Sequence, residues 1–256
     1  MLSLLSVLQI EAQKTIDLSG DWNFEIDRQD IGEKEKWFNQ TLQDVIELPG
    51  SMPERLKGDD VTVRTRWTGS LYDSSYYYNP YMEKYRREGN VKLPFFLTPD
   101  KHYVGVAWYQ KEINLPKDWK KERIVLVLER PHIESTVWVN GHKVGMQNSL
   151  CVAHIYDVTR YVRPGKCNIT IRIDNRIKEI NVGPDSHRIT DQTQGNWNGI
   201  VGRICLQATP HVYFDDIQVF PEPEQKLARV KLRIKSSNKS STTAQVRLSA
   251  ESFNAE

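Results

Sequence analysis

Cysteine is scarce: Cys151, Cys167 and Cys205 are the only three in 256 residues, and no Cys-x-x-Cys spacing occurs. That excludes a zinc cage or a complete disulfide framework, and the three read as small core residues. Long apolar runs are missing too. None approaches the roughly 20 residues that a membrane-spanning helix needs. Charge of one sign is not in excess, since 35 Lys and Arg against 33 Asp and Glu leave a formal +2. A nucleic-acid binder needs a basic stripe that this balance does not supply. Alternation of strand and helix is absent as well, which excludes a parallel α/β sheet. What remains is ordinary globular material, 39% hydrophobic, 27% charged and 10% aromatic, with the length of one large domain or one and a half ordinary ones.

Period two dominates. Ile169, Ile171 and Ile173 alternate with Thr170, Arg172 and Asp174, and Val230, Leu232 and Ile234 alternate with Lys231, Arg233 and Lys235. Both patterns predict half-buried strands. The aliphatic run Ile124 to Leu128 predicts a strand covered on both faces. Ser135 to Val139 leads into Asn140-Gly141, the preferred pair for a tight hairpin turn, so Val137 to Val139 should pair with Lys143 to Gly145. One short helix is predicted between Asp30 and Leu42, with Trp37, Phe38 and Leu42 on one face. The fold class is mainly β, a sandwich, and Trp22, Trp108 and Trp138 read as core and inter-sheet packing. Lys117 to Arg123 reads as a solvated turn beside a strand.

Three stretches stand apart. Met1 to Ile10 is mostly Leu, Ser and Val and precedes Glu11-Ala12-Gln13, like the second half of a secretory signal without its basic start. Residues 1–13 are thus read as a signal remnant and the protein as periplasmic or secreted. Trp67 to Pro99 holds Tyr72, Tyr76, Tyr77, Tyr78, Tyr81 and Tyr85 and reads as a long ordered loop that stacks sugars or covers an interface. A boundary falls near Ala208-Thr209-Pro210, giving domains at 14–210 and 211–256. The second contains strands at Asp216 to Phe220, at Val230 to Lys235 and at Gln245 to Glu251.

Five strings occur in a fixed order: Leu18-Ser19-Gly20-Asp21-Trp22, Leu48-Pro49-Gly50-Ser51, Ala107-Trp108-Tyr109, Val137-Trp138-Val139-Asn140-Gly141, and Gly199-Ile200 ahead of a strand ending Ala208-Thr209-Pro210. Together they resemble the N-terminal sugar-binding domain of glycoside hydrolase family 2, the β-galactosidases, β-glucuronidases and β-mannosidases. The resemblance implies a jelly-roll sandwich at 14–210 and the N-terminal part of an immunoglobulin-like sandwich at 211–256. In the family a catalytic barrel follows, carrying two glutamates, one preceded by Asn.

No Asn-Glu dipeptide occurs in this chain, and Glu112, Glu129 and Glu134 read as solvated or paired surface groups. No catalytic residue, metal or cofactor is assigned. What the resemblance does imply is sugar contact from two loops. Asn90, in Asn90-Val91-Lys92-Leu93-Pro94, matches one of them. Asp191, Gln194, Asn196, Trp197 and Asn198, ahead of Gly199-Ile200, match the other, a dense set of amide and carboxylate partners for hydroxyls with an indole beside them. The same stretch also reads as a polar turn satisfying its own backbone. The galactosidase pattern has an Asp where Thr193 stands, which weakens galactose as the sugar. His187 with Asp185 and Asp191 reads as a structural hydrogen-bonding group, not as a metal site.

The function implied is the non-catalytic N-terminal region of a β-galactosidase-like exo-glycosidase, inactive alone. It would bind a terminal β-linked sugar beside a downstream barrel, with no nucleic acid and no membrane span, and homo-oligomers are left open. A free-standing carbohydrate-binding module and a purely structural domain are the alternatives.

Overall fold

Residues 14–62, 64–68, 79–91, 99–178, 195–237 and 246–249 are described by the computed structural model. The signal-like segment 1–13 and the positions Asp185, His187, Asp191 and Gln194 lie outside them, as do Tyr72, Tyr76, Tyr77 and Tyr78. The strands are β1 (Lys14–Asp17), β2 (Gly20–Asp27), β3 (Asp44–Leu48), β4 (Gly50–Ser51), β5 (Asp59–Asp60), β6 (Lys101–His102), β7 (Val106–Leu115) and β8 (Arg123–Leu128). They continue as β9 (Glu134–Val139), β10 (His142–Asn148), β11 (His154–Asp157), β12 (Gly165–Asp174), β13 (Gly199–Ile200), β14 (Ile204–Thr209), β15 (Val212–Glu222) and β16 (Leu227–Ser236). Among the described residues there is no α-helix, only short 3-10 turns. The fold is mainly β, as the period-two runs predict.

Two compact units form, one from residues 15–120 and 124–207, the other built mainly on 208–256. The first is a sandwich. Its six-stranded sheet has the order β10-β9-β12-β7-β2-β3, and its four-stranded sheet the order β1-β14-β8-β11. The register places Phe24 beside Tyr109, Tyr109 beside Ile171, and Ile171 beside Val137. Alternation therefore puts these four on one face. That face looks toward the second sheet, because Ser135, two residues before Val137, bonds His154 Nδ1 at 2.6 Å and Tyr156 Oη at 2.7 Å on β11. Burial holds His154 below the usual imidazole range, although its hydrogen bond to the Ser149 carbonyl acts the other way.

The hairpin forms as expected. Asn140 and Gly141 both take positive φ, 49° and 78°, and Lys143 pairs with Trp138 and Gly145 with Val137. The aliphatic run becomes β8 and is buried throughout from Ile124 to Leu128.

Three expectations change. The segment 30–42 holds only the short 3-10 helix Trp37–Asn39 and otherwise runs as a strap over the outer face of the six-stranded sheet. Asp27 fixes its start: one carboxylate oxygen accepts from Ile31 N at 2.9 Å, the other from Gly32 N at 2.8 Å and Trp108 Nε1 at 3.0 Å. Trp37 and Phe38 then pack on Leu42, Val106, Trp108 and Trp138, with the Phe38 and Trp138 rings stacked at 5.2 Å. Second, β12 is buried on both faces, not half-buried. Thr170 and Arg172 lie under this strap, at 1% and 7% exposure, and Gln110 Nε2 donates to Thr170 Oγ1 and to the carbonyl of Gln40. Third, Trp22 packs between the sheets but Trp108 and Trp138 lie on the opposite face, each one register position away from the inner residues.

Smaller differences follow the same logic. Cys151 is exposed, whereas Cys167 and Cys205 are buried and burial raises both thiols, Cys167 to about 11. The stretch Lys117 to Arg123 is a turn, yet Trp119 within it is buried. The second unit contains the antiparallel ribbon β15–β16, longer than the pattern predicts, with Ile217, Val219, Phe220, Leu227 and Ile234 exposed. Residues 246–249 belong to no strand.

Candidate functional site

Residues 195–200 join two of the sequence strings. β13 pairs with β4 as Gly199 with Ser51 and Ile200 with Gly50. Gly199 sits at φ 142°, and a Cβ there would collide with the Gly50 carbonyl, so this close approach requires glycine. Met52 N donates to the Asn198 carbonyl at 2.8 Å and His132 N to the Gly199 carbonyl at 3.1 Å.

Asn196 and Asn198, predicted to face sugar, face the protein. Asn198 is fully buried: its Nδ2 donates to the Gly105 and Ile173 carbonyls at 3.0 and 3.2 Å, and its Oδ1 accepts from Tyr109 Oη at 2.8 Å. Asn196, 2% exposed, donates through Nδ2 to the Asn175 carbonyl at 3.0 Å and Thr68 Oγ1 at 3.1 Å. Its Oδ1 accepts from Asn175 Nδ2 at 3.0 Å. Amides so used are not available to hydroxyls, and both positions act as struts. Trp197, between them, is half-buried, and its ring lies 4.4 Å from His132 with planes 24° apart, while its carbonyl meets His132 Nδ1 at 2.7 Å.

Asn175 is the hub that sequence reasoning missed. It follows β12, is fully buried, and accepts from Gly105 N at 2.8 Å while donating to the Tyr103 carbonyl at 2.8 Å. It therefore joins the loop after β6 to the 195–200 segment. Beside it is a compact charge cluster. Arg172 meets Asp30 at 2.8 Å and Glu134 at 3.1 Å, and Arg176 and Lys178 meet Asp174 at 2.6 and 2.7 Å. Burial alone would raise the Asp174 carboxyl, but the hydrogen bonds from Arg176 and Lys178 override it and hold it down to about 2. The alternating Arg172 and Asp174 of the strand pattern gave a signal for charge on one face, not for its burial. Glu112 and Glu129 are paired at the surface with Lys166 and Arg203, each at 2.8 Å, and Glu134 belongs to the buried cluster.

A pocket of about 640 Å³ is lined by β5, by His102 to Val104, and by residues 62 and 64–68, within the range of about 300–1,000 Å³ typical of ligand sites. Asp59 and Asp60 line it, held by Arg28 at 2.8 Å and Lys101 at 2.6 Å. Arg64, Arg66 and Trp67 line it too, with the Trp67 ring 4.6 Å from that of His102. Thr68 belongs to the same lining, so the Asn196 strut holds one of the pocket's residues. The run Arg64-Thr65-Arg66-Trp67, after two adjacent aspartates, was its visible signal in the sequence. Asn90 is not among the residues that line the pocket. It is exposed after the 3-10 turn Pro80–Tyr85, its Nδ2 donates to the Lys84 carbonyl at 2.9 Å, and no hydrogen bond among the described residues joins it to Asn196 or Asn198. No cluster of His, Cys, Asp and Glu among the described residues could hold a metal.

Comparison with known proteins gives this geometry a family. The model of the glycosyl hydrolases family 2 sugar binding domain matches residues 15–210. A β-glucuronidase of Paenibacillus borealis is 25% identical over 79% of this chain and 30% of its own length, and that of Homo sapiens is 28% identical over 54% and 25%. Among solved structures, a β-glucuronidase from an uncultured Clostridium sp. superposes with TM-score 0.61 at 23% identity, over 93% of this chain and 36% of that one. A Ruminococcus gnavus β-glucuronidase gives 0.59 at 19%, over 91% and 34%. The chain thus spans about a quarter to a third of the curated relatives it matches. Five ordered strings, a two-sheet sandwich that pairs the second string with the fifth, and a family match over 15–210 agree: the chain belongs to glycosyl hydrolase family 2, as its sugar-binding domain.

Proposed function

We propose that this chain is the non-catalytic N-terminal region of an exported family 2 exo-β-glycosidase, and that the enzyme's sugar is a terminal β-uronide, not a galactoside. The observation that carries the reading is the family match across residues 15–210 with β-glucuronidases as relatives. Thr193, where the galactosidase pattern has Asp, points the same way. Export rests on the apolar stretch Met1 to Ile10.

The chemistry of the chain favours binding over cleavage. A retaining glycosidase needs two carboxyl groups about 5–5.5 Å apart, one of them kept protonated until it donates. The carboxylates gathered here, Asp30 and Asp174, are instead pulled below their ordinary range: burial would raise them, but Arg172 and Arg176 on Asp30, and Arg176 and Lys178 on Asp174, prevail. They are structural ions. In this reading the two catalytic glutamates come from a downstream barrel of the same polypeptide, and the sandwich supplies a braced surface around Trp197 at its mouth.

The test is to read the source frame past codon 256 and assay both products on p-nitrophenyl β-D-glucuronide and β-D-galactoside. The expected result is a frame that continues into a barrel with an Asn-Glu pair, hydrolysis of the glucuronide by the long product, and none by residues 1–256. A frame that stops at 256, with a native mass to match, refutes the enzyme reading and leaves a carbohydrate-binding module. Faster hydrolysis of the galactoside refutes the uronide.

A further inference from the structure

The pocket lined by β5, by His102 to Val104, and by residues 62 and 64–68 has a charge balance that its own sandwich does not close. Its two aspartates are already matched, Asp59 by Arg28 and Asp60 by Lys101. Arg64 and Arg66 belong to its lining, are exposed and make no ion pair among the described residues. Two guanidinium groups in excess in the lining of a concave site favour an anion. Their planar forks suit a carboxylate or sulfate in particular. Trp67 stands next to them in the sequence and in the lining, half-buried, with its ring 4.6 Å from the buried His102 ring and tilted 57° to it, and an indole suits the apolar face of a pyranose. The exposed carboxylate of Asp60, in the same lining, is an acceptor for ring hydroxyls.

We infer that this pocket binds an acidic pyranose, its ring against Trp67 and its carboxylate or sulfate between Arg64 and Arg66. The inference rests on the sugar-binding reading of this domain but uses no barrel residue, so the 256-residue chain binds the sugar by itself. A neutral sugar would stack on the indole and meet Asp60 yet leave both guanidiniums to water. The anionic group is what distinguishes the preferred ligand.

The experiment is an NMR titration of the 15N-labelled chain with methyl β-D-glucuronide, galactose 6-sulfate, methyl β-D-glucoside and inorganic sulfate. The expected result is a shift of the Trp67 indole N–H with one or both acidic sugars, at least about tenfold tighter than the glucoside, the scale of charge-assisted hydrogen bonds. Response to the glucuronide alone assigns the carboxylate, and to the sulfated sugar alone the sulfate ester. R64A/R66A should remove that preference while the dispersion of the other indole signals stays unchanged. Equal affinity for the glucoside overturns the anionic site but leaves sugar binding intact. Inorganic sulfate bound as tightly as the sugars means an adventitious ion only and also overturns it. Shifts at Trp197 without Trp67 move the site elsewhere. No response to any sugar overturns both the inference and sugar binding by the isolated domain.

Discussion

Removing the Tyr109 hydroxyl tests whether Asn198 is a strut. In Tyr109→Phe the Asn198 Oδ1 loses the O–H that it meets at 2.8 Å, at a site with no exposure. A buried acceptor left without its donor costs about 1–3 kcal/mol. Asn198→Ala loses more, since the Gly105 and Ile173 carbonyls also lose a donor and the Tyr109 hydroxyl is orphaned in turn. About 2–4 kcal/mol is expected there. Once Asn198 is gone, deleting the hydroxyl removes an orphan and so costs little. The double variant should therefore fall short of the sum of the single ones by about 1–2 kcal/mol. All seven tryptophans lie between Trp22 and Trp197, so urea unfolding followed by indole fluorescence reports the sandwich and not the ribbon of β15 and β16. The variants should shift the midpoint with little change in slope. Additivity within about 0.3–0.5 kcal/mol, the scatter of independent sites, would refute the coupling and with it the view that Asn198 serves the fold.

Further outcomes can be checked on the same protein. Asp174 has a folded-state pKa of about 2 against an ordinary 3.8, so its contribution is complete above that ordinary value and disappears as pH falls toward 2. The loss amounts to about 2 kcal/mol at 1.36 kcal/mol per unit, and Asp174→Asn should flatten that part of an acid-unfolding curve. Asp27→Ala leaves the indole N–H of Trp108 and the Gly32 amide without acceptors. It should destabilise the sandwich by about 2–4 kcal/mol and free the 30–42 strap, seen as faster hydrogen exchange at Trp37 and Asn39. Gly199→Ala forces a Cβ into the Gly50 carbonyl, and circular dichroism melts should fall by several degrees, more than for Gly20→Ala, where no atom stands within 4 Å. Amides of β15 and β16 should exchange faster than those of β7 and β12, and protection equal to that of β12 would refute the reading of this ribbon as lacking a core.

The sequence announced strands, hairpin and family more clearly than the site. Ile169, Ile171 and Ile173 reveal a core face because a strand alternates, and Asn140-Gly141 reveals a turn because both positions need positive φ. Alternation cannot say what covers the other face. Thr170, Arg172 and Asp174 read as solvated, yet a strap more than a hundred residues away in sequence buries them. Asn196 and Asn198 show the same limit. An amide suits a sugar hydroxyl and a backbone carbonyl equally, and only the packing of Gly105, Tyr109 and Asn175 around them decides which it meets. Asn175 gave no signal at all, being one polar residue after a strand.

The strand order of the larger sheet also sets a timetable for synthesis. β2 leaves the ribosome early, but its partner β7 begins roughly 80 residues later. At about 5–20 residues per second, Phe24 waits some 4–16 s before Tyr109, its neighbour on β7, exists. Contacts so distant in sequence make for slow folding. During that interval the N-terminal segment presents an apolar strand with a free edge, the form that chaperones hold. Production of this domain should therefore depend on chaperone supply and on translation speed between residues 27 and 106 more than on its final stability.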